Sequence, residues 1–411
     1  MKKIDLITTE IILFVGLSFL VNPFLSLVFF FHLLCYKEKF QNKILINCFI
    51  ILLAVFMAFI NSTKVPDNDL YFHGMDYLNA KNLNLYDYLS LKNKEPFFYI
   101  FNYYFYNLTT GSFKLWVITI TFVPYYLFFT AIKLFFYKIK APKNQLLLGI
   151  ILAAFFPQLF SLSAHLIRQF IAAAIFIYFA VNLIMYNKNK WWLVLAAVMI
   201  HYSSLILFCL MIYRSVIKKI KQKKTLNVLI IFVLLFYQEI SKFLLSIFGN
   251  LNEPITRILT RASQDTSFEL GNFPWFNFVM MSLMIIIALT DKKTLSKQYY
   301  SKLLDKENIN SEYSSFFFTM ILLSLFILFN LQQSELSIRL FFYLFFYFPF
   351  IAPLFVGRFK NQSLLCYITS IFFIIFFIFR LNNGIWEYAP LLELATNSTF
   401  SFLFEPELLT N

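Results

Sequence analysis

The residues best suited to chemistry are ionisable side chains at the borders of long apolar runs, where an unpaired charge is costly. Arg168 lies in SAHLIRQFIAAA and Arg339 in SELSIRLFFY, and a guanidinium can hold a phosphate or a carboxylate through paired hydrogen bonds. His165, three residues before Arg168, would share its helix face. His201, in VMIHYSSL, has an imidazole that can take up a proton near neutral pH. These residues predict anion binding by the arginines and proton transfer by His201. The alternatives are that the arginines only reach lipid headgroups and that the histidine only links helices.

A second group of candidates lies in the polar segments between the apolar runs. Asp67 and Asp69 form an Asp-x-Asp pair, which can hold a divalent cation on a diphosphate or simply form a turn after a proline. Glu95 adds a carboxylate at the start of a short apolar segment. Arg257 and Arg261 are spaced to share a helix face suited to an anionic ligand, unless they belong to a solvated loop. We predict neither a resident metal nor a cofactor.

The composition predicts a membrane protein. Of the 411 residues, 60% are hydrophobic and only 14% are charged, and the apolar runs are about 17–25 residues long, the length that crosses a bilayer as helix. The formal net charge is +14, but the basic residues lie in short loops, which is typical of cytoplasmic loops and argues against a nucleic-acid partner. The four cysteines lie in or beside apolar runs without a CxxC pattern, so we expect free thiols.

The apolar runs predict one all-α polytopic domain over residues 1–411, with about ten transmembrane helices and two half-helix or re-entrant elements. The positive-inside rule places 61–96, 249–272 and the tail 381–411 on the outer, periplasmic face and 291–315 in the cytoplasm. The predicted spans are 11–35, 44–60, 113–137, 145–161, 165–186, 226–248, 273–290, 316–331, 339–357 and 363–380.

Two apolar segments do not fit a single crossing. The run WWLVLAAVMIHYSSLILFCLMIYR lies between the basic segments NKNK and RSVIKKIKQKK, so one crossing would place a basic segment outside. Two half-helices of about ten residues, each about 15 Å long, would return the chain to the same side if they met at HYSS. The segment FFYIFNYYFYNL is also too short to cross, which predicts a second half-helix or an interfacial helix.

Four segments in order, STKVPDNDLYFH, KEPFFYIFNYYF, IRQFIAAAIFIYFAV and WWLVLAAVMIHYSSLILF, resemble the EpsG-like branch of the bacterial Wzy-type oligosaccharide repeat-unit polymerases. The resemblance covers 45–210, and further on only SIRLFFY and the number of spans are similar. The family pattern highlights Asp69 with Tyr71, Glu95 with Pro96, Arg168 with Gln169, and His201 with Ser203.

The resemblance implies an enzyme of the bacterial inner membrane, similar in architecture to glycosyltransferases of the GT-C class, with its active site facing the periplasm. Such an enzyme lies in the lipid bilayer, joins undecaprenyl-diphosphate-linked oligosaccharide repeat units into O-antigen or capsular polysaccharide at the periplasmic face, and is expected to work with a chain-length regulator protein. Arg168, helped by Arg339 or by the Arg257 and Arg261 pair, would stabilise the departing diphosphate. The substrate-binding group also includes Gln169 and Tyr71, and the candidates for the proton acceptor are His201, Asp69 and Glu95.

Three other functions fit the same sequence features. A GT-C-type glycosyltransferase would move a single sugar from a polyprenyl-phosphate donor. A flippase for lipid-linked oligosaccharide would use the half-helices as discontinuous transporter helices. A ligase that transfers finished polymer would need much the same residues as a polymerase.

Overall fold

The computed structural model describes residues 6–36, 42–90, 95–217, 232, 236–248, 256, 260, 275–298, 306–329, 334–383 and 387–404. Across those ranges all regular structure is helical, which confirms the predicted all-α class. In chain order the helices are α1 (Leu6–Val21), α2 (Pro23–Tyr36), α3 (Lys43–Ser62), α4 (Asn68–Leu78), α5 (Leu85–Ser90), α6 (Pro96–Thr109), α7 (Phe113–Lys138), α8 (Lys143–Phe155), α9 (Pro157–His165), α10 (Ile167–Tyr186), α11 (Trp192–Ile200), α12 (Ser204–Ile217), α13 (Tyr237–Phe248), α14 (Trp275–Gln298), α15 (Lys306–Phe329), α16 (Ser334–Phe345), α17 (Phe348–Val356), α18 (Gln362–Asn383), α19 (Leu391–Thr396) and α20 (Thr399–Phe404).

Five helices of the described ranges are long and apolar enough to cross a membrane: α3, α7, α10, the Glu312–Phe329 part of α15, and α18. The pairs α8 with α9 and α16 with α17 are each bent by 47° at a short break, so up to seven spans are present in the part of the chain that the structure describes. The predicted number was ten. Part of the difference is α14, whose apolar stretch is limited to Asn277–Thr290.

The predicted span 11–35 was wrong, because α1 and α2 form a helical hairpin. The rings of Phe14 and Phe29 meet with centroids 5.5 Å apart, although a straight helix would separate residues fifteen positions apart by about 22 Å. The reversal occurs at Asn22 and Pro23. A proline has no backbone N–H and suits the first turn of a new helix, and the Asn22 side chain accepts the Leu25 N–H at 2.9 Å and so caps α2.

The predicted span 145–161 is the bent pair α8 and α9, with Pro157 in the first turn of α9. The missing proline N–H explains why the helix does not continue straight through this point. α8 packs closely against α17 at Gly149, where an added β-carbon would lie 2.8 Å from the backbone oxygen of Pro349. A small residue at a helix interface lets two backbones approach in this way.

Two predicted loops are largely helical. The segment 61–96 contains α4, a 3₁₀ turn at Asn79–Asn82 and α5, and these pack against α6. In the segment 291–315, α14 extends to Gln298 and α15 begins at Lys306. The segment 291–315 contains neither proline nor glycine, so these two helices continue beyond their apolar parts. The side of the membrane on which each segment lies remains a prediction.

α11 and α12 run in opposite directions along α10. Trp191, at the start of α11, packs on Phe179 with 5.2 Å between ring centroids, and Phe208 of α12 packs on the same ring at 5.8 Å. α12 therefore returns towards the end at which α11 began, in agreement with the reversal predicted at HYSS. His201, directly after α11, has extended backbone angles, so the side chains at this turn project from irregular backbone.

The described part of the C-terminal tail packs on the end of α3. The Val65 N–H donates to the Glu387 carbonyl at 2.8 Å, and the ring of Phe402 stacks on Phe59 with 5.2 Å between centroids. The tail and the 61–96 segment therefore lie at the same end of the helix bundle.

Basic residues gather at the opposite end, which we call the basic end and define by Lys138 and Arg358. Lys138 pairs with Glu312 at 3.2 Å, and Arg358 donates to the Thr290 hydroxyl at 2.7 Å. α10 ends here. Its first turn, with Arg168, is consequently at the other end of the bundle.

Candidate functional site

Glu95 has an unusual backbone at the entrance to α6. Its φ and ψ angles are 51° and 58°, in the left-handed region that a residue with a side chain rarely adopts. The next residue is Pro96, and the residue before a proline normally takes an extended conformation. Such strain persists only where the surrounding structure holds it, and it clusters at functional sites.

The Glu95 carboxylate joins three elements that are distant in sequence. One oxygen accepts a hydrogen bond from the Arg168 guanidinium in the first turn of α10. The other oxygen contacts His201 Nδ1 at 2.8 Å and accepts the Tyr202 backbone N–H at 3.3 Å, both at the α11–α12 turn. We call Glu95, Arg168 and His201 the Glu95 cluster. Glu95 is only 6% exposed, so its charge is compensated by these partners rather than by solvent.

The pKa of Glu95 is set by opposing effects. Burial raises this pKa most strongly, but the hydrogen bond with His201, the Arg168 charge and the Tyr202 N–H together lower it below its usual value. The carboxylate is therefore ionised at neutral pH. An ionised, fully hydrogen-bonded carboxylate is a poor proton acceptor but a good orienting group for an imidazole.

Two nitrogen atoms of the Glu95 cluster take no part in its internal hydrogen bonds. His201 Nε2 and Arg168 Nε are buried and have no hydrogen-bond partner among the described residues. When Nδ1 of a neutral imidazole donates to Glu95, Nε2 carries the lone pair and can accept a proton. The Arg168 guanidinium retains donors for an anion after its contact with Glu95. One carboxylate thus positions a base and an anion-binding group side by side.

α16 forms the fourth side of this site. The Gln169 side chain donates to the backbone carbonyl of Arg339 at 2.5 Å, and the Ser203 hydroxyl lies 3.0 Å from the Tyr343 hydroxyl. The charges of Glu95 and Arg339 both act at that Tyr343 hydroxyl. Arg339, which the sequence singled out, is therefore at the same site.

Asp67 belongs to a neighbouring ionic group. Its carboxylate pairs with Lys64, which is 1% exposed, at 2.5 Å and lies 3.8 Å from His165 Nδ1. His165 is the last residue of α9, and Leu166 has non-helical angles of −136° and 56°. His165 and Arg168 consequently lie on separate helices, and the predicted shared helix face was wrong.

Of the other predicted residues, two lie on α4 and two lie outside the described residues. Asp69 is in the first turn of α4, and its charge acts on His165. Tyr71 is 42% exposed and packs edge-on against Phe72. Within the described ranges no group of three or more His, Cys, Asp or Glu side chains is arranged to hold a metal ion. Arg257 and Arg261 lie outside the described residues.

Sequence reasoning missed two contributors to the site. The Tyr202 backbone N–H cannot be recognised from residue type. Tyr343 could have been recognised, because it follows Arg339 by four residues in a helix and therefore shares its face.

Comparison with known proteins gives one match. A family model described as the EpsG family matches residues 44–390, well over half of the chain. The matched segment contains Glu95, Arg168, His201 and Arg339. No curated protein and no solved structure matches the chain.

Proposed function

This chain belongs to the EpsG family of polysaccharide polymerase-like membrane proteins, and from that premise we propose that it joins undecaprenyl-diphosphate-linked oligosaccharide repeat units into a surface polysaccharide. The substrate is a lipid-anchored diphosphate ester of a sugar chain. The product is a glycan longer by one repeat unit, and undecaprenyl diphosphate is released.

The reaction requires two groups that the Glu95 cluster supplies. A hydroxyl of the incoming repeat unit attacks C1 of the growing glycan, forming a C–O bond while the bond from C1 to the diphosphate oxygen breaks. The hydroxyl proton passes to His201 Nε2, and the electron pair of the broken bond stays on the diphosphate. Arg168 stabilises that developing charge, and Arg339 on α16 adds a second cation.

The observation that carries the proposal is the shared carboxylate. Glu95 fixes the imidazole tautomer of His201 and holds the Arg168 guanidinium at the same time. Asp69, a third candidate for the proton acceptor, has no hydrogen bond to His201 or Arg168 in the part of the chain that the structure describes. We therefore assign proton transfer to His201 and orientation to Glu95.

The charge distribution supports an outward-facing site in the bacterial inner membrane. Basic loop residues favour the cytoplasmic side, and Lys138 and Arg358 lie at the basic end while Arg168 lies at the other end of α10. We accordingly place the Glu95 cluster at the periplasmic face. A chain-length regulator protein remains a proposed partner.

The test is a gel ladder of surface polysaccharide from the source bacterium lacking this gene, complemented with wild type, Arg168→Ala, His201→Gln or Arg358→Ala. Arg358 is the matched control because it lies at the basic end. We expect only wild type and Arg358→Ala to restore the ladder, with single repeat units remaining in the other strains. Full ladders from Arg168→Ala and His201→Gln at normal protein levels would refute the site.

The same experiment separates the alternative functions. Loss of even the single repeat unit on deletion would indicate a glycosyltransferase that acts earlier. Accumulation of the lipid-linked unit at the cytoplasmic leaflet, with no unit at the cell surface, would indicate a flippase.

A further inference from the structure

A buried polar pair on α4 lies beside the Glu95 cluster and has no part in the proposed proton transfer. His73 is 5% exposed and Asp76 is 8% exposed, and His73 Nδ1 lies 3.6 Å from an Asp76 oxygen, beyond hydrogen-bonding distance. Within the described residues neither ring nitrogen of His73 has a hydrogen-bond partner. Buried polar groups nearly always have one, and a bound ligand is one source of such a partner.

Two tyrosines hold Asp76 in place. The Tyr99 hydroxyl donates to the Asp76 carboxylate at 3.3 Å, and the Tyr88 hydroxyl donates to the Asp76 backbone carbonyl at 2.7 Å. The His73 ring packs edge-on against Phe98 with 5.3 Å between centroids. Contacts from α5 and α6 therefore position both polar side chains, as in a preformed binding site.

α6 connects this pair to the Glu95 cluster. Tyr99 lies in the first turn of α6, four residues after Glu95. The charges of Arg168 and Glu95 both act at the Tyr99 hydroxyl. Burial and the Asp76 charge raise the pKa of that hydroxyl, so it stays protonated and continues to donate to Asp76. The two groups are adjacent parts of one site.

The chemistry of the two parts differs. A carboxylate such as that of Asp76 repels phosphate, whereas a carboxylate and an imidazole together bind the hydroxyl groups of sugars. Arg168 suits a phosphate. A sugar joined through C1 to a diphosphate carries hydroxyls next to a phosphate. In the same way, the His73 and Asp76 pair lies next to Arg168.

We propose that His73, Asp76 and Tyr99 form a hydroxyl-binding subsite for the sugar attached to the diphosphate, with the diphosphate at Arg168. This inference rests on the proposed function, because it takes the lipid-linked glycan as the substrate. His73 and Asp76 contact the sugar hydroxyls, and Tyr99 acts as a positioning residue that orients Asp76. The subsite thereby distinguishes a glycan-bearing lipid from the bare carrier.

The experiment compares the binding of two lipids to purified protein in nanodiscs. One probe is undecaprenyl diphosphate, and the other is the lipid-linked repeat unit extracted from the strain lacking this gene. The variants are His73→Gln, Asp76→Asn and Tyr99→Phe, with His32→Gln as the control because His32 is bonded to Tyr367 on α18, away from the site. We expect each variant of the subsite to bind the repeat-unit lipid about ten-fold more weakly, equivalent to one lost charge-assisted hydrogen bond.

The same variants should bind undecaprenyl diphosphate as wild type does, and His32→Gln should bind both lipids normally. An equal loss for both lipids, or no loss for either, would overturn the subsite. Tyr99→Phe removes a single oxygen atom and keeps the ring, so it decides the question if His73→Gln does not fold. Failure of the proposed function has a different signature: wild-type protein would bind neither lipid, and Arg168→Ala would change nothing.

Discussion

The ion pair between Glu95 and Arg168 offers a sharp test of the candidate site through a double-mutant cycle. The perturbations are Glu95→Gln, Arg168→Met and the two combined. The amide of Gln keeps the shape of the carboxylate without its charge, and Met has a length similar to Arg without the guanidinium. Each single change leaves the other charge without its buried partner, whereas the double change leaves neither charge.

The expected loss in the free energy of unfolding follows from the burial of the two side chains. Removing one partner of a buried ion pair costs about 3–5 kcal/mol. Glu95 is 6% exposed, but the Arg168 side chain is 22% exposed, so solvent compensates part of its charge. We therefore take the lower end, about 3 kcal/mol for each single variant. Because the double variant has no unpaired charge, it should lose about 4 kcal/mol instead of the sum, which corresponds to a coupling energy of about 2 kcal/mol.

The assay is equilibrium unfolding of purified protein in mixed detergent micelles with increasing sodium dodecyl sulfate. As a control, the losses in unfolding free energy caused by Arg358→Met and Glu95→Gln should add up in the double variant, because Arg358 lies at the basic end. A coupling energy below about 0.5 kcal/mol between Glu95 and Arg168 would show that the two charges act independently. That result would remove the basis for a shared carboxylate and, with it, the assignment of His201 as an oriented base.

Three further predictions address pH dependence and packing. The folded-state pKa of Glu95 is lowered. The stability that ionised Glu95 contributes is therefore complete above the ordinary glutamate pKa and is lost as the pH falls through the lowered value. In detergent unfolding, wild type should lose more stability on acidification than Glu95→Gln, and parallel curves of stability against pH would contradict this. Gly149→Ala should lower the free energy of unfolding by about 1–3 kcal/mol, because its β-carbon would lie 2.8 Å from a backbone oxygen. Gly16→Ala, whose β-carbon would have nothing within 4 Å, should be neutral or slightly stabilising. Equal effects of the two changes would refute the close approach of α8 and α17. Phe402 is 0% exposed, so Phe402→Ala should lower the free energy of unfolding in detergent by about 3–5 kcal/mol. Phe404 is 80% exposed, so Phe404→Ala should change it by almost nothing. No loss for Phe402→Ala would show that the tail does not pack on the bundle.

Much of the site was predictable from residue types. A charged side chain at the edge of an apolar run is costly and must find a partner or a function, and this reasoning singled out Arg168, His201 and Arg339. Glu95 was a candidate as a carboxylate at the start of a short apolar segment. The positive-inside argument likewise required a reversal at HYSS, and the packing of α11 and α12 on Phe179 agrees with it. The His73 and Asp76 pair was not recognised as a site, because its significance depends on Tyr99, which lies on another helix.

By itself, the sequence determined that this protein is helical and spans a membrane. The length and apolarity of a run are local properties, and a bilayer imposes both on any helix that crosses it. Only the tertiary structure decided which charges meet: Glu95 is 73 residues from Arg168 and 106 from His201, and no local pattern encodes that pairing. It also decided that α1 and α2 fold back on each other, because the hydrophobicity of 11–35 is the same in one long helix as in a hairpin, and only the capping at Asn22 and the ring contacts across the turn distinguish the two.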